Sequence, residues 1–439
     1  MSSEEVLQAS GNASWMLISA SLVLLMTPAL AFFYGGMSRQ KSVLNMMMMS
    51  FGTLGLVSVI YVLWGWSMSY GSQSIGGVFA NPFEFFGLKN SITDAEGNYI
   101  AGASGYPNII DVAFQLTFAV ISTALISGAI AERVKFGSWM LFAGLWATCA
   151  YFPLAHMVWG GGLLAHGENS VAAWLFGVDD AAEALIKPID FAGGTVVHIS
   201  AGVSALVLSI IIGKRKNFLR SSQRPHNLPF VMLGAALLWF GWFGFNGGSA
   251  FAADGLAGLA WVNTTAATAA AMLGWLLVEK IRDGHATSLG AASGVVAGLV
   301  AVTPAAGDLT PVTSLILGAI GGILAAFGVG LKYKFAFDDS LDVVGVHLVA
   351  GLWGTIGVGL LADGKGLLTG GGSDGVKLFV VQILIALIAM IFAGLITVVL
   401  AFIVKATLGW RVDDEEESNG IDFHEHGETA YDTAGPSFN

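Results

Sequence analysis

The sequence predicts an all-α polytopic membrane protein with eleven transmembrane helices, built as an inverted five-plus-five repeat plus one extra span. Three observations carry this. Only 11% of the 439 residues are charged and 55% are hydrophobic, whereas an ordinary soluble chain is about 25% charged. Apolar stretches of the roughly 20 residues needed to cross a bilayer recur along the chain. Short motifs in the first half return five spans later. A mean hydropathy of +0.73 excludes a soluble enzyme and a disordered chain. A lone cysteine, Cys149, excludes a disulfide-stapled secreted domain.

The first span is expected at 13–36. Glu4 and Glu5 precede it, and no Lys or Arg occurs before Arg39. It is therefore read as a retained span, although Ala29-Leu30-Ala31 has the form of a signal cleavage site. Spans follow at 43–70, 109–131 and 136–160. The third carries Phe114 and Phe118, and the fourth carries His156 and ends near Trp159. The fifth, 190–213, opens at Asp190 and contains Thr195 and His198; the sixth, 228–250, holds Trp242, Phe243, Phe245 and Ser249. The remaining spans are expected at 256–278, 288–305, 311–330, 341–361 and 376–406. The eighth is short and rich in Ala and Gly, and the tenth contains Asp342 and His347.

An odd number of crossings puts the termini on opposite sides. With the N-terminus outside, fifteen Lys and Arg fall in cytoplasmic segments and four in external ones, the asymmetry expected of cytoplasmic loops. The expected topology is N-out and C-in. Residues 1–410 form the transmembrane domain. From Arg411 the chain carries nine acidic residues and one basic residue; this 411–439 segment is read as a cytoplasmic acidic tail, most simply a solvated extension. No basic nucleic-acid surface is expected.

The repeat rests on two echoes. His198-Ile199-Ser200-Ala201-Gly202 matches His347-Leu348-Val349-Ala350-Gly351, and Phe33-Tyr34-Gly35-Gly36 matches Phe245-Asn246-Gly247-Gly248. Both pairs lie five spans apart, and an odd offset inverts one half against the other. A pseudo-two-fold axis in the membrane plane then brings His198 and His347 together near the midplane, where such folds place their sites. Intramembrane ionisable residues are rare and point to function. A single buried His such as His156 is as readily a neutral ring bonded to backbone or hydroxyl. No metal site is expected, because no third ligand stands at usable spacing. No cofactor is expected either, and no nucleophile–base pair suggests an enzyme.

Asp190 and Asp342 open their spans and suit helix starts; a ligand role remains open for both. Asp190 lies about 12 Å along the helix from His198, too far for contact. Phe114 and Phe118 share a helix face. Trp159 stands at a span end, where aromatics commonly anchor to the interface, yet Trp is also the best cation–π partner.

The chain resembles the ammonium transporters of the Amt/Mep/Rh superfamily, Amt branch, along nearly its whole length. The resemblance rests on Phe114-Gln115, Thr117-Phe118-Ala119, Gly128-Ala129 and Ala131-Glu132-Arg133. It rests equally on Ala155 through Gly162, on Asp190 through His198, on Trp242 through Ser249, and on Asp342 with Gly345-Val346-His347. It implies a homotrimer with one conduction path per subunit. It implies an outer recruitment site for ammonium from Phe118, Trp159 and Ser249, a gate of Phe118 stacked on Phe245, and a pore lined by the twin histidines His198 and His347. Asp190, Thr195 and Trp242 are taken as supporting residues. The tail resembles the family's at Gly420-Ile421-Asp422 and His426 through Tyr431, with Ile421 where Leu is more usual. It implies contact with PII-type signalling proteins, which block conduction in relatives. The expected activity is uptake of ammonium across the cell membrane. The alternative is a sensor with little flux, but a 29-residue tail is too short for a signalling domain.

Overall fold

The computed structural model describes residues 3–216, 218–220 and 224–431. Residues 432–439 of the acidic tail lie outside them. Among the described residues ten helices are long and apolar enough to cross a membrane: α1 (Leu7–Met37), α2 (Val43–Tyr70), α3 (Ile109–Ile130), α4 (Phe136–Val158), α5 (Gly194–Ile212), α6 (Leu228–Ala250), α7 (Gly255–Asp283), α9 (Pro311–Phe335), α10 (Val344–Leu361) and α11 (Gly372–Thr407). Between α7 and α9 stands a shorter apolar helix, α8 (Ser288–Val302). It supplies the expected eighth span. Its 15 residues cover only about 22 Å at 1.5 Å per residue, but every residue from Ala292 to Val302 is buried. A centrally placed helix of Ala, Gly and Val is surrounded by protein and need not match the lipid, and its small side chains let neighbours pack closely.

The five-plus-five plan shows in the packing. α1 lies against α6, α3 against α1, and α8 against both α7 and α9. α11 stands outside the repeat and crosses α5, α10 and α4. Val380, Leu387, Ile391, Leu395, Val399 and Phe402 of α11 are exposed at helical spacing, a lipid-facing stripe. At 36 residues, α11 runs about 54 Å and must tilt to fit a core of about 30 Å.

Loops gather on two faces. On one, here the loop face, a small hairpin pairs β1 (Ser74–Ile75) with β2 (Phe79–Ala80), and Leu163 N–H bonds the Gly77 carbonyl beneath it. On the other, the tail face, the chain after α11 folds back. Val134 and Arg411 form a bridge, followed by two short helices, α12 (Asp414–Asn419) and α13 (Asp422–His426). The solvated extension expected here is therefore not what forms up to Tyr431. Ile421 is fully buried, and the Asp422 carboxylate accepts the N–H groups of Leu44 and Asn45 at 3.0 and 2.8 Å. Ser42, at the start of α2, makes no side-chain cap. A carboxylate from the tail supplies it, satisfying donors that a helix start leaves unpaired. Glu425 does the same for Phe136 at the start of α4, at 2.8 Å.

Candidate functional site

The centre of the molecule is set by two glycines. Gly202 follows His198 by four residues, and Gly351 follows His347 by four. A methyl group on Gly202 would lie 2.5 Å from the Leu348 backbone nitrogen, and one on Gly351 would lie 3.0 Å from the His198 Cβ. Only hydrogen fits, so α5 and α10 cross in near-backbone contact. That approach brings His198 Nδ1 to 3.2 Å from His347 Nδ1, with the rings nearly parallel at 20°. Both rings are buried. In a neutral pair one Nδ1 donates and the other accepts, so one proton is shared between them.

Each histidine sits in a π-helical turn, Gly194–Ile199 for His198 and Val344–Val349 for His347. Phe245 lies in a third such turn, Phe243–Gly247. A π turn holds one residue more than an α turn and recurs at functional sites; here it re-aims three side chains toward one axis. Phe245 stacks on Phe118 with centroids 4.1 Å apart and on the far side faces His198 at 6.2 Å. Trp242 stacks on His198 at 5.6 Å and anchors its indole N–H on Thr303 Oγ1 at 2.9 Å. The space left around the two histidines is about 10 Å³, room for about one water-sized molecule. His198 Nε2 is buried with no hydrogen-bond partner among the described residues.

Beyond Phe118 the path widens into a loop-face cavity of about 290 Å³, lined by Phe118, Trp159, Ser249, Gln115 and Tyr70 among others. The Trp159 ring meets Phe118 edge-on at 6.2 Å, and its N–H donates to the Asp190 carbonyl at 3.0 Å. The Ser249 hydroxyl donates to the Phe245 carbonyl at 2.8 Å, which leaves its oxygen lone pairs as acceptors. The buried Tyr70 hydroxyl has no partner among the described residues. Tyr70 had no signal in the sequence beyond its span, and Gln115 entered only as part of the Phe114-Gln115 motif. Of the predicted residues, Phe118, Trp159, Ser249 and Asp190 line this cavity, Phe245, His198, His347 and Trp242 line the small space behind it, and Thr195 bonds Asp190.

Asp190 does not reach His198. Its carboxylate accepts N–H bonds from Gly193, Gly194 and Thr195 at 2.8, 2.6 and 2.9 Å and another from the Thr195 hydroxyl, so it caps α5. The expected counterpart, Asp342, does not cap α10. Asp339 does, accepting from Val343 and Val344 at 3.1 and 2.7 Å. The register explains this: His198 and His347 are 149 residues apart, and so are Asp190 and Asp339. Asp342 falls on Gly193, and both have positive φ, 66° and 117°. It occupies the left-handed turn before its helix rather than the cap.

Comparison with known proteins agrees along the whole chain. A family model described as Ammonium Transporter Family matches residues 14–431. An ammonium transporter of Mycobacterium bovis is 52% identical, over 97% of this chain and 91% of its own length. The chain belongs to the ammonium transporter family. Among solved structures this family member is similar to a sensor Amt protein, with TM-score 0.83 and 27% identity over 96% of this chain and 100% of that one. It is also similar to Saccharomyces cerevisiae Mep2, with TM-score 0.78 and 28% identity over 92% and 90%.

His156 takes the bland role open to it in this transporter. Its Nε2 meets Ser74 Oγ at 2.8 Å and its Nδ1 the Ser69 carbonyl at 3.2 Å, pinning the hairpin over α4. Among the described residues no group of three or more His, Cys, Asp and Glu side chains could hold a metal ion. On the tail face, Glu132 joins Arg39 and Arg215, and Arg215 joins Asp338, at 2.8 to 3.0 Å. These ion pairs tie the loops before α2, α4, α6 and α10 together.

Proposed function

We propose that the chain recruits ammonium in the loop-face cavity, deprotonates it beside the Phe118–Phe245 stack, and passes ammonia along His198 and His347. Net movement is electrogenic ammonium uptake. The observation that carries this reading is the unpartnered Nε2 of His198, buried in a space that admits one small molecule behind two stacked rings. An ion entering such a space faces an idealised desolvation cost of about 20 kcal/mol, still several after relaxation. Ammonium escapes it by leaving its proton behind; potassium has no proton to leave. Trp159 and Phe118 attract the cation by up to about 2 kcal/mol when desolvated, and Ser249 supplies an acceptor for a charge-assisted bond. The shared proton between the imidazoles supplies a route for the one left behind, through tautomer exchange.

The same proposal takes the tail face as cytoplasmic, since it gathers the Lys and Arg residues, and the membrane as the cell membrane. A homotrimer and regulation by a PII-type protein follow from the family resemblance, and the ordered acidic segment on the tail face supports a protein contact there.

The decisive experiment is charge movement by the purified protein in liposomes after an ammonium pulse, with potassium and methylammonium as comparisons. A saturable ammonium current with no potassium current is expected, and His198→Ala should abolish it. An unchanged current in His198→Ala would remove the histidine relay. An internal pH change without current would leave neutral ammonia passage, and silence in both would leave a sensor.

A further inference from the structure

The register that pairs the histidines also pairs Asp190, at the start of α5 on the loop face, with Asp339, at the start of α10 on the tail face. At the loop-face end Trp159, just past α4, donates its indole N–H to the Asp190 carbonyl at 3.0 Å. On the tail face Lys332, in the last turns of α9, donates its Nζ to the Asp339 carbonyl at 3.0 Å. Asp190 and Asp339 are repeat equivalents, as shown above, and the fourth and ninth spans are five apart. The inverted repeat thus hangs an indole on one carbonyl and a primary ammonium on the other. Lys332 Nζ also pairs with the Asp342 carboxylate at 2.7 Å. The Lys332 side chain is 10% exposed and that of Asp342 21%, so the tail face reaches the pair through Asp342.

The two ends offer a free ammonium ion opposite chemistry. An indole face attracts a cation. The lysine head group is itself an ammonium with hydrogen-bond donors and no acceptor, and it already holds the carbonyl and the carboxylate that a free ion would use. Asp339 offers no alternative, because its carboxylate is committed to Val343 and Val344.

We propose that Lys332 is a tethered ammonium that fills the tail-face counterpart of the recruitment position and denies it to free ammonium, so that loading from the two faces is unequal. This rests on the transport reading above. The loop-face cavity collects ammonium ions, and the tail-face end releases product without rebinding it as an ion.

The test uses the full chain in liposomes of known protein orientation, with ammonium chloride gradients imposed in either direction. The readout is the half-saturating concentration for flux loaded from each face. In the wild type, loading from the tail face should need about 10-fold more ammonium, equivalent to about 1.4 kcal/mol. Lys332→Gln should bring the two values within about 3-fold, and Lys332→Arg, which keeps the cation, should hold them apart. Equal half-saturation from both faces in the wild type overturns the proposal, even if Lys332→Gln does not fold. So does a wild-type ratio in Lys332→Gln. A purely structural lysine would lower both fluxes together and leave the ratio alone, which also counts against it. Absence of flux from either face would instead remove the transport reading, and this inference with it.

Discussion

Asp338 accepts two bonds from the Arg215 guanidinium at 2.9 and 2.8 Å, and the next residue, Asp339, caps α10. Burial pushes both carboxyls up, but Arg215 and Arg133 outweigh it at Asp338 and hold that group below the usual carboxylate range. Asp339 has only partial relief from Lys332 and is pushed up to about 6. The two therefore act on stability with opposite sign. Asp338 contributes above its unfolded value, and that contribution is lost as pH falls through its depressed one. Asp339 contributes below its unfolded value, and that is lost as pH rises through about 6. Asp338→Asn, which leaves Arg215 with Glu132 as its remaining carboxylate partner, should cost about 1–3 kcal/mol at neutral pH. Asp339→Asn should flatten the pH dependence between about pH 4 and 6. Thermal melts in detergent from about pH 4 to 7 check both. The histidines were legible in the sequence because an ionisable residue stands out in an apolar run. Asp339 was hidden because Asp342 sits nearer the apolar run, and a left-handed backbone turn leaves no mark on an Asp.

The crossing of α5 and α10 is the element on which the site depends. Gly202→Ala places a methyl group against the Leu348 backbone, which cannot yield as a side chain can. Transport should fall by at least about 10-fold while the protein still elutes as a folded species, because the clash displaces one helix rather than unfolding the bundle. Gly351→Ala meets a Cβ at 3.0 Å and should be milder. Flux assays beside size-exclusion profiles distinguish the outcomes. Span existence was readable from apolar length, and even the short α8 was visible as an Ala- and Gly-rich stretch. The π turns were not readable, because 196–199 and 345–348 have the composition of any apolar helix. What selects those turns is packing between distant segments.

For the molecule as a whole, the tail closes the tail face. Val412 N–H bonds the Arg133 carbonyl at 3.2 Å, Glu417 takes the Lys216 N–H at 2.8 Å, and the His226 ring meets the Tyr431 hydroxyl at 2.9 Å. Composition alone made this segment look like a solvated extension. Nine acids in 29 residues do not reveal that two of them, Asp422 and Glu425, serve as caps for α2 and α4. Deleting 412–439 should therefore lower the melting temperature and, under the PII contact proposed above, abolish co-purification with a PII-type protein. Unaltered PII binding after the deletion would move that contact elsewhere on the tail face. An unaltered melting temperature would mean that the caps contribute little to stability.

Of the five π turns among the described residues, the three at Gly194–Ile199, Phe243–Gly247 and Val344–Val349 carry a consequence for chain length. Each stores one surplus residue at the point where His198, Phe245 or His347 is aimed. Removing a single residue there, Val196 for instance, lets the turn relax to α geometry with the helix beyond it still in phase with its neighbours. In an ordinary helix the same deletion would rotate everything downstream by about 100° and expose polar positions to lipid. The deletion variant should insert and fold with near-native mass and helicity, yet carry no ammonium current, since His198 would leave the axis. Loss of folding instead would mean that the surplus residue is structural. In these turns the protein separates the instruction to fold from the instruction to conduct.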